Sequence, residues 1–123
     1  MHTLDTNEII YYLKGDPQAT SKIEQIFALG TPVFISTITE IELFGFGNLS
    51  LKEATLIEKF LSLVTSIPVD SALARIAGQL RRLYNLKTAD SAIAATALYT
   101  GSILLTRNTK DFKRIANLKV QEV

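Results

Sequence analysis

Short apolar segments alternate with amphipathic, helix-patterned stretches along all 123 residues, and no Ser/Gly-rich linker, repeat or low-complexity tract interrupts them. That alternation is the mark of an α/β fold. Candidate strands are Thr3-Leu4, Val33-Phe34-Ile35, Ile67-Pro68-Val69, Ser102 to Leu105 and Leu118 to Val120. Pro68 places the third at a sheet edge or a strand start. The expected architecture is a three-layer α/β/α sandwich around a short-stranded, mainly parallel central sheet, in one domain spanning residues 1–123.

Helix starts are marked more sharply than strands. Thr37-Ile38-Thr39-Glu40 and Ser50-Leu51-Lys52-Glu53 both fit a capping box, and Asp70 and Thr88 are candidate N-caps. From Asp70 to Tyr84 the residues Leu73, Ile76, Ala77, Leu80 and Tyr84 recur at helical spacing; the small residues between Ala89 and Tyr99 do the same. Helices that cross between parallel strands gather their N-termini at the edge where the strands end, which is where such folds place their sites.

Composition narrows the chemistry. The chain has no cysteine, so thiolate metal sites and cysteine nucleophiles are excluded, and a reducing cytoplasm is the simplest home. Met1-His2-Thr3 offers no basic leader, and no apolar run approaches the roughly 20 residues of a membrane helix, so a soluble protein without membrane association is expected. His2, the only histidine, is expected at a mobile terminus. A net charge of +1 hides an asymmetry: four Lys/Arg against nine Asp/Glu up to Ala74, then nine Lys/Arg against Asp90 and Asp111 from Arg75 to Lys119. The basic half suits a polyanion, or forms ordinary solvated helix faces.

Four acidic positions fall at the strand-end edge. Asp5 follows the first strand, either as a turn residue or as a site residue. Glu42 shares a helical face with Ile38, Ile41 and Gly45, about 200° from Glu40, and is expected on the core-side stripe, where a carboxylate must be paired or bound to a metal. Asp90 lies in the first turn of a helix, where complementing the dipole would also explain it. Asp111 is delivered, with Asn108, by the segment after the fourth strand. Carboxylates without cysteine or a usable histidine are hard oxygen ligands, suited to Mg²⁺ or Mn²⁺ rather than zinc. Such a cluster supports metal-assisted hydrolysis of a phosphodiester. Neither a G-x-S-x-G elbow nor a phosphate-binding G-x-x-x-x-G-K-[ST] loop occurs.

Leu4-Asp5-Thr6-Asn7, Ile38-Thr39-Glu40-Ile41-Glu42-Leu43, Ala89 to Ala97 and Leu105-Thr106-Arg107-Asn108-Thr109-Lys110-Asp111-Phe112 resemble, in order, the signature segments of PIN domains, and more narrowly those of VapC toxins from toxin-antitoxin pairs. The resemblance implies a metal-dependent endoribonuclease. Asp5, Glu42 and Asp90 would form the metal-binding acidic core, with Asn108 or Asp111 at a fourth, variable position. Thr6, Asn7, Thr106, Arg107, Asn108 and Arg82 are the candidate substrate contacts. It further implies an RNA substrate, a homodimer and an antitoxin partner, for which Tyr11, Tyr12, Phe44 and Phe46 would supply an apolar groove. The interval from Arg82 to Asp90 is short for the family, so the loop that shapes the substrate groove is expected to be trimmed. Two other readings stand beside this one: a PIN-like scaffold that binds without catalysis, and a phospho-receiver domain using Asp5, Asp70, Thr106 and Lys119, which leaves Glu42 and Asp90 unexplained.

Overall fold

The computed structural model describes residues 1–123. Five strands, β1 (His2–Leu4), β2 (Val33–Ser36), β3 (Thr65–Ile67), β4 (Ile103–Thr106) and β5 (Val120–Glu122), form one sheet. Its order is β3-β2-β1-β4-β5 and every pairing is parallel. A receiver domain would require the order 2-1-3-4-5, so that reading is excluded. The observed order reverses direction between β1 and β4, and the crevice beyond their C-terminal ends is where open α/β sheets bind ligands.

Seven helices cover the sheet: α1 (Thr6–Leu13), α2 (Pro17–Ala28), α3 (Thr37–Phe44), α4 (Leu51–Leu61), α5 (Ser71–Tyr84), α6 (Thr88–Thr100) and the single-turn α7 (Thr109–Phe112). Two cores result, one on each face. Leu4, Val33, Ile35 and Leu105 pack with Ile9, Ile23, Ile26, Ile57 and Phe60. Leu104 packs on the other face with Leu73, Ala77, Leu80, Ile93 and Phe112. Leu104 and Leu105 point to opposite faces, as neighbouring strand residues must, and this makes the sandwich three-layered. No helix is long and apolar enough to cross a membrane.

Several local expectations shift. β3 ends before Pro68 instead of containing it, because proline has no N–H to give a ladder. β5 begins at Val120, since the Leu118 N–H is taken by the Ile115 carbonyl in the preceding turn. Ser50 and Glu53 form the expected capping box and Asp70 caps α5. Thr37 does not cap: Ser36 accepts the Ile38 N–H, Thr37 Oγ1 accepts the Val69 N–H, and Glu40 accepts the Ser66 hydroxyl. The N-cap position of α6 is Lys87, with Thr88 already helical. His2 is not at a mobile end. It is buried in β1 and contacts Gln121 at 3.2 Å.

Candidate active site

Asp5 occupies the N-cap position of α1 in an extended conformation, yet its carboxylate caps nothing. It turns inward instead and accepts the Thr106 hydroxyl at 2.8 Å, joining the ends of β1 and β4. Only 5% of the residue is exposed. Burial pushes its pKa from the ordinary 3.8 to about 6; the Thr106 bond opposes this, while the charges of Asp90 and Glu42 add to it.

Glu42 reaches the same edge by a route that differs from the expected one. It is exposed, Ile41 beside it is 67% exposed, and α3 buries Thr39 and Leu43. The core-side stripe proposed from Ile38, Ile41, Glu42 and Gly45 is therefore wrong. Gly45 has a different reason: a Cβ there would lie 2.6 Å from the Ile41 carbonyl oxygen, so the chain can leave α3 along this path only at glycine. What draws Glu42 inward is Thr6, whose hydroxyl donates to it at 2.7 Å. Thr6 has one hydrogen, so at 2.9 Å Thr39 is the donor to the Thr6 oxygen. Thr39 was not among the expected site residues; its only signal is its place one helical turn before Glu42.

Asp90 is half-buried in the first turn of α6. Burial raises its pKa, as do Glu42 and Asp111, against an opposing pull from Lys87. Asp111 accepts from the Asn108 side-chain amide at 3.1 Å, and the Asn108 N–H donates to Thr106 Oγ1 at 2.9 Å. The Asn108/Asp111 pair thus continues the chain of contacts that begins at Asp5. Asn7 is exposed beside Thr6, and Arg82 is exposed in the last turn of α5 with no ion pair.

Arg107 is engaged within the protein. Its guanidinium pairs with Asp16 and lies 3.4 Å from a Glu8 oxygen, and it stacks 4.2 Å above the centre of the Tyr11 ring. These are the only ion pairs in the molecule, so no cationic side chain pairs with Asp5, Glu42 or Asp90. Of the aromatic residues proposed for a groove, Tyr12 packs on Phe60, Phe44 joins the same core, and Phe46 lines an apolar cavity with Ile10, Leu13 and Leu56.

Convergent, unneutralised carboxylates in a partly desolvated edge suit a hard divalent cation, and the donor set is all oxygen. No three of them are closed around a common point, and Glu42 accepts the Thr6 hydroxyl. Charge and donor chemistry fit a metal.

The family model for the PIN domain matches residues 3–118. The chain belongs to the PIN domain family. It is 29% identical to ribonuclease VapC19 of Mycobacterium tuberculosis, covering 97% of this chain and 98% of that one. It is 30% identical to the tRNA(fMet)-specific endonuclease VapC of Shigella flexneri, over 97% and 95% of the two chains. Among solved structures it resembles VapBC2 from Rickettsia felis bound to a DNA fragment from the promoter, with a TM-score of 0.83, 25% identity, and 99% and 98% of the chains covered.

Proposed function

We propose that this protein is a VapC-type endoribonuclease, the toxin of a toxin-antitoxin pair, hydrolysing RNA phosphodiester bonds with Mg²⁺ or Mn²⁺. The observation that carries this reading is the burial of Asp5 at the β1–β4 crevice within electrostatic reach of Asp90 and Glu42, with no cationic side chain ion-paired to any of the three.

Asp5, Asp90 and Glu42 would hold the ion, with Asp111 or Asn108 completing the edge. When bound, the ion supplies Lewis-acid stabilisation of charge developing on the phosphate. The chain does the rest. Thr106 orients Asp5, Thr39 and Thr6 orient Glu42 in a directional hydroxyl chain, and α6 presents Asp90 from its first turn. The exposed cations of the C-terminal half, Arg82 and Lys87 foremost, would steer the RNA backbone. The chain would act in the cytoplasm, as a homodimer restrained by an antitoxin whose basic side chain enters the acidic edge.

The deciding experiment is cleavage of cellular RNA by the purified chain, with Mg²⁺ and with chelator, beside Asp5→Asn. Mapping new 5′ ends after brief induction would identify the target. Metal-dependent cuts absent from Asp5→Asn are expected. Binding of RNA without cleavage would leave a non-catalytic scaffold, and cleavage undiminished in Asp5→Asn would remove the site.

A further inference from the structure

Glu8 takes no part in the chemistry above, yet it is only 1% exposed. It lies on α1, one turn beyond Asp5, and its own N–H donates to the Asp5 carbonyl at 3.1 Å. A carboxylate so enclosed is costly unless something nearby uses it. The group that uses it is the main chain of Arg107, whose N–H donates to Glu8 Oε1 at 3.1 Å.

Arg107 directly follows Thr106, the residue whose hydroxyl holds Asp5. The next N–H, of Asn108, is accepted by Thr106 Oγ1. Both main-chain N–H groups at the turn after β4 therefore end on side-chain oxygens. The turn lacks the ladder that fixes a strand, and Glu8 is the one tie between it and α1 that is made to the main chain. The ion pair with the guanidinium does not account for Glu8 by itself: at 3.4 Å the Glu8 Oε2 and Arg107 Nε form no hydrogen bond, and the guanidinium gives its hydrogen bond to Asp16.

We propose that Glu8 is a positioning residue: by holding the main chain at Arg107, it keeps the Thr106 hydroxyl on Asp5 and Asn108 beside Asp111. The inference rests on the reading of Asp5 as part of a metal-binding acidic edge.

The test compares full-length wild type, Glu8→Ala and Glu8→Gln, each well below its own melting temperature. Two quantities are read: affinity for Mn²⁺ alone, by calorimetry, and kcat and KM on an RNA that the wild type cuts. Glutamine keeps an oxygen to accept the Arg107 N–H and loses the charge. Expected for Glu8→Ala are roughly 10–100-fold losses in Mn²⁺ affinity and kcat with KM near wild type, the range seen when groups that orient a metal ligand are removed. Glu8→Gln should restore both. A folded Glu8→Ala with wild-type affinity and kcat overturns the proposal. So does a Glu8→Gln as impaired as the alanine variant, which would assign the effect to the ion pair. Should the alanine variant fail to fold, Glu8→Met fills the space without an acceptor, and the same readings decide. If the wild type binds Mn²⁺ but cuts no RNA, the nuclease reading falls while the Mn²⁺ affinities still decide the role of Glu8. If it binds no Mn²⁺, both fall.

Discussion

Thr106 gives its hydroxyl hydrogen to a carboxylate oxygen of Asp5 at 2.8 Å, across 101 positions of sequence, with both residues buried. Replacing the threonine by valine keeps the shape and removes both the donor to Asp5 and the acceptor of the Asn108 N–H. Thr106→Val should cost about 1–3 kcal/mol in urea unfolding, the penalty of leaving a buried acceptor unmade. Thr106→Ser should recover most of it. Equal stabilities for valine and wild type would show that the bond contributes little.

Neutralising the acids should separate stability from activity. Asp5→Asn and Asp90→Asn remove charges that repel one another. Both variants should melt at or above the wild-type temperature in chelator, while cleavage falls by roughly 10²–10³-fold or more, the scale of losing one preorganised charge-stabilising group. Melting curves and single-turnover rates on the same preparations check the pair of effects.

Metal-free protein should lose stability as the pH rises. The folded-state pKa of Asp5 is about 6 against an ordinary 3.8, and that of Glu8 is about 7 against 4.5. Burial is the main cause in each. Between those limits the folded chain holds more protons than the unfolded one, so unfolding free energy declines from about pH 4 towards pH 7. Asp5 alone accounts for about 3 kcal/mol of that decline. Chelator-treated protein unfolded at several pH values should show the slope, and Asp5→Asn should reduce it, leaving the part due to Glu8.

RNA affinity should depend on salt through the exposed C-terminal cations and not through Arg107. In an Asp5→Asn background, joint neutralisation of Arg75, Arg81, Arg82, Lys87 and Lys110 should reduce the slope of log K against log salt by about 0.7 for each lost contact to single-stranded RNA. Arg107→Ala should leave the slope unchanged and lower the melting temperature, since its guanidinium is engaged by Asp16 and Glu8. An unaltered slope in the combined variant would make the basic face a solvated surface only.

Antitoxin and metal should compete. If a basic side chain pairs with the acids in place of the ion, titrating Mg²⁺ into the purified complex should weaken it, and Asp5→Asn or Glu42→Gln should abolish that dependence. A complex indifferent to both would place the antitoxin elsewhere.

The placement of the candidate residues was legible where topology alone set it. Asp5, Asp90 and the Asn108/Asp111 segment follow strand ends or begin helices, so an alternating α/β pattern places them at one edge. Helical periodicity misplaced the buried face of α3, because the face that packs carries Thr39 beside Leu43 and the solvent face carries Ile41. A threonine hidden by its hydrogen bonds looks polar in sequence. The fate of Arg107 was unreadable for another reason: its partners Glu8 and Asp16 lie 99 and 91 residues away. His2 was misjudged because ends usually fray, whereas parallel pairing with Val33 and Ile103 fixes this one.

Helix α6 is buried without a break from Ser91 to Ala97, seven consecutive positions that leave it no free side. It behaves as a bolt seated in its housing, with Asp90 at the tip. One inserted residue would turn that tip by about 100° and advance it by about 1.5 Å, and a bulkier side chain would lift the whole rod. Ahead of it, Asn85 and Lys87, which lead into the first turn, are exposed and leave room for a change of length. A lineage built on this frame can therefore redraw the rim that meets its target while the acid beneath keeps its place.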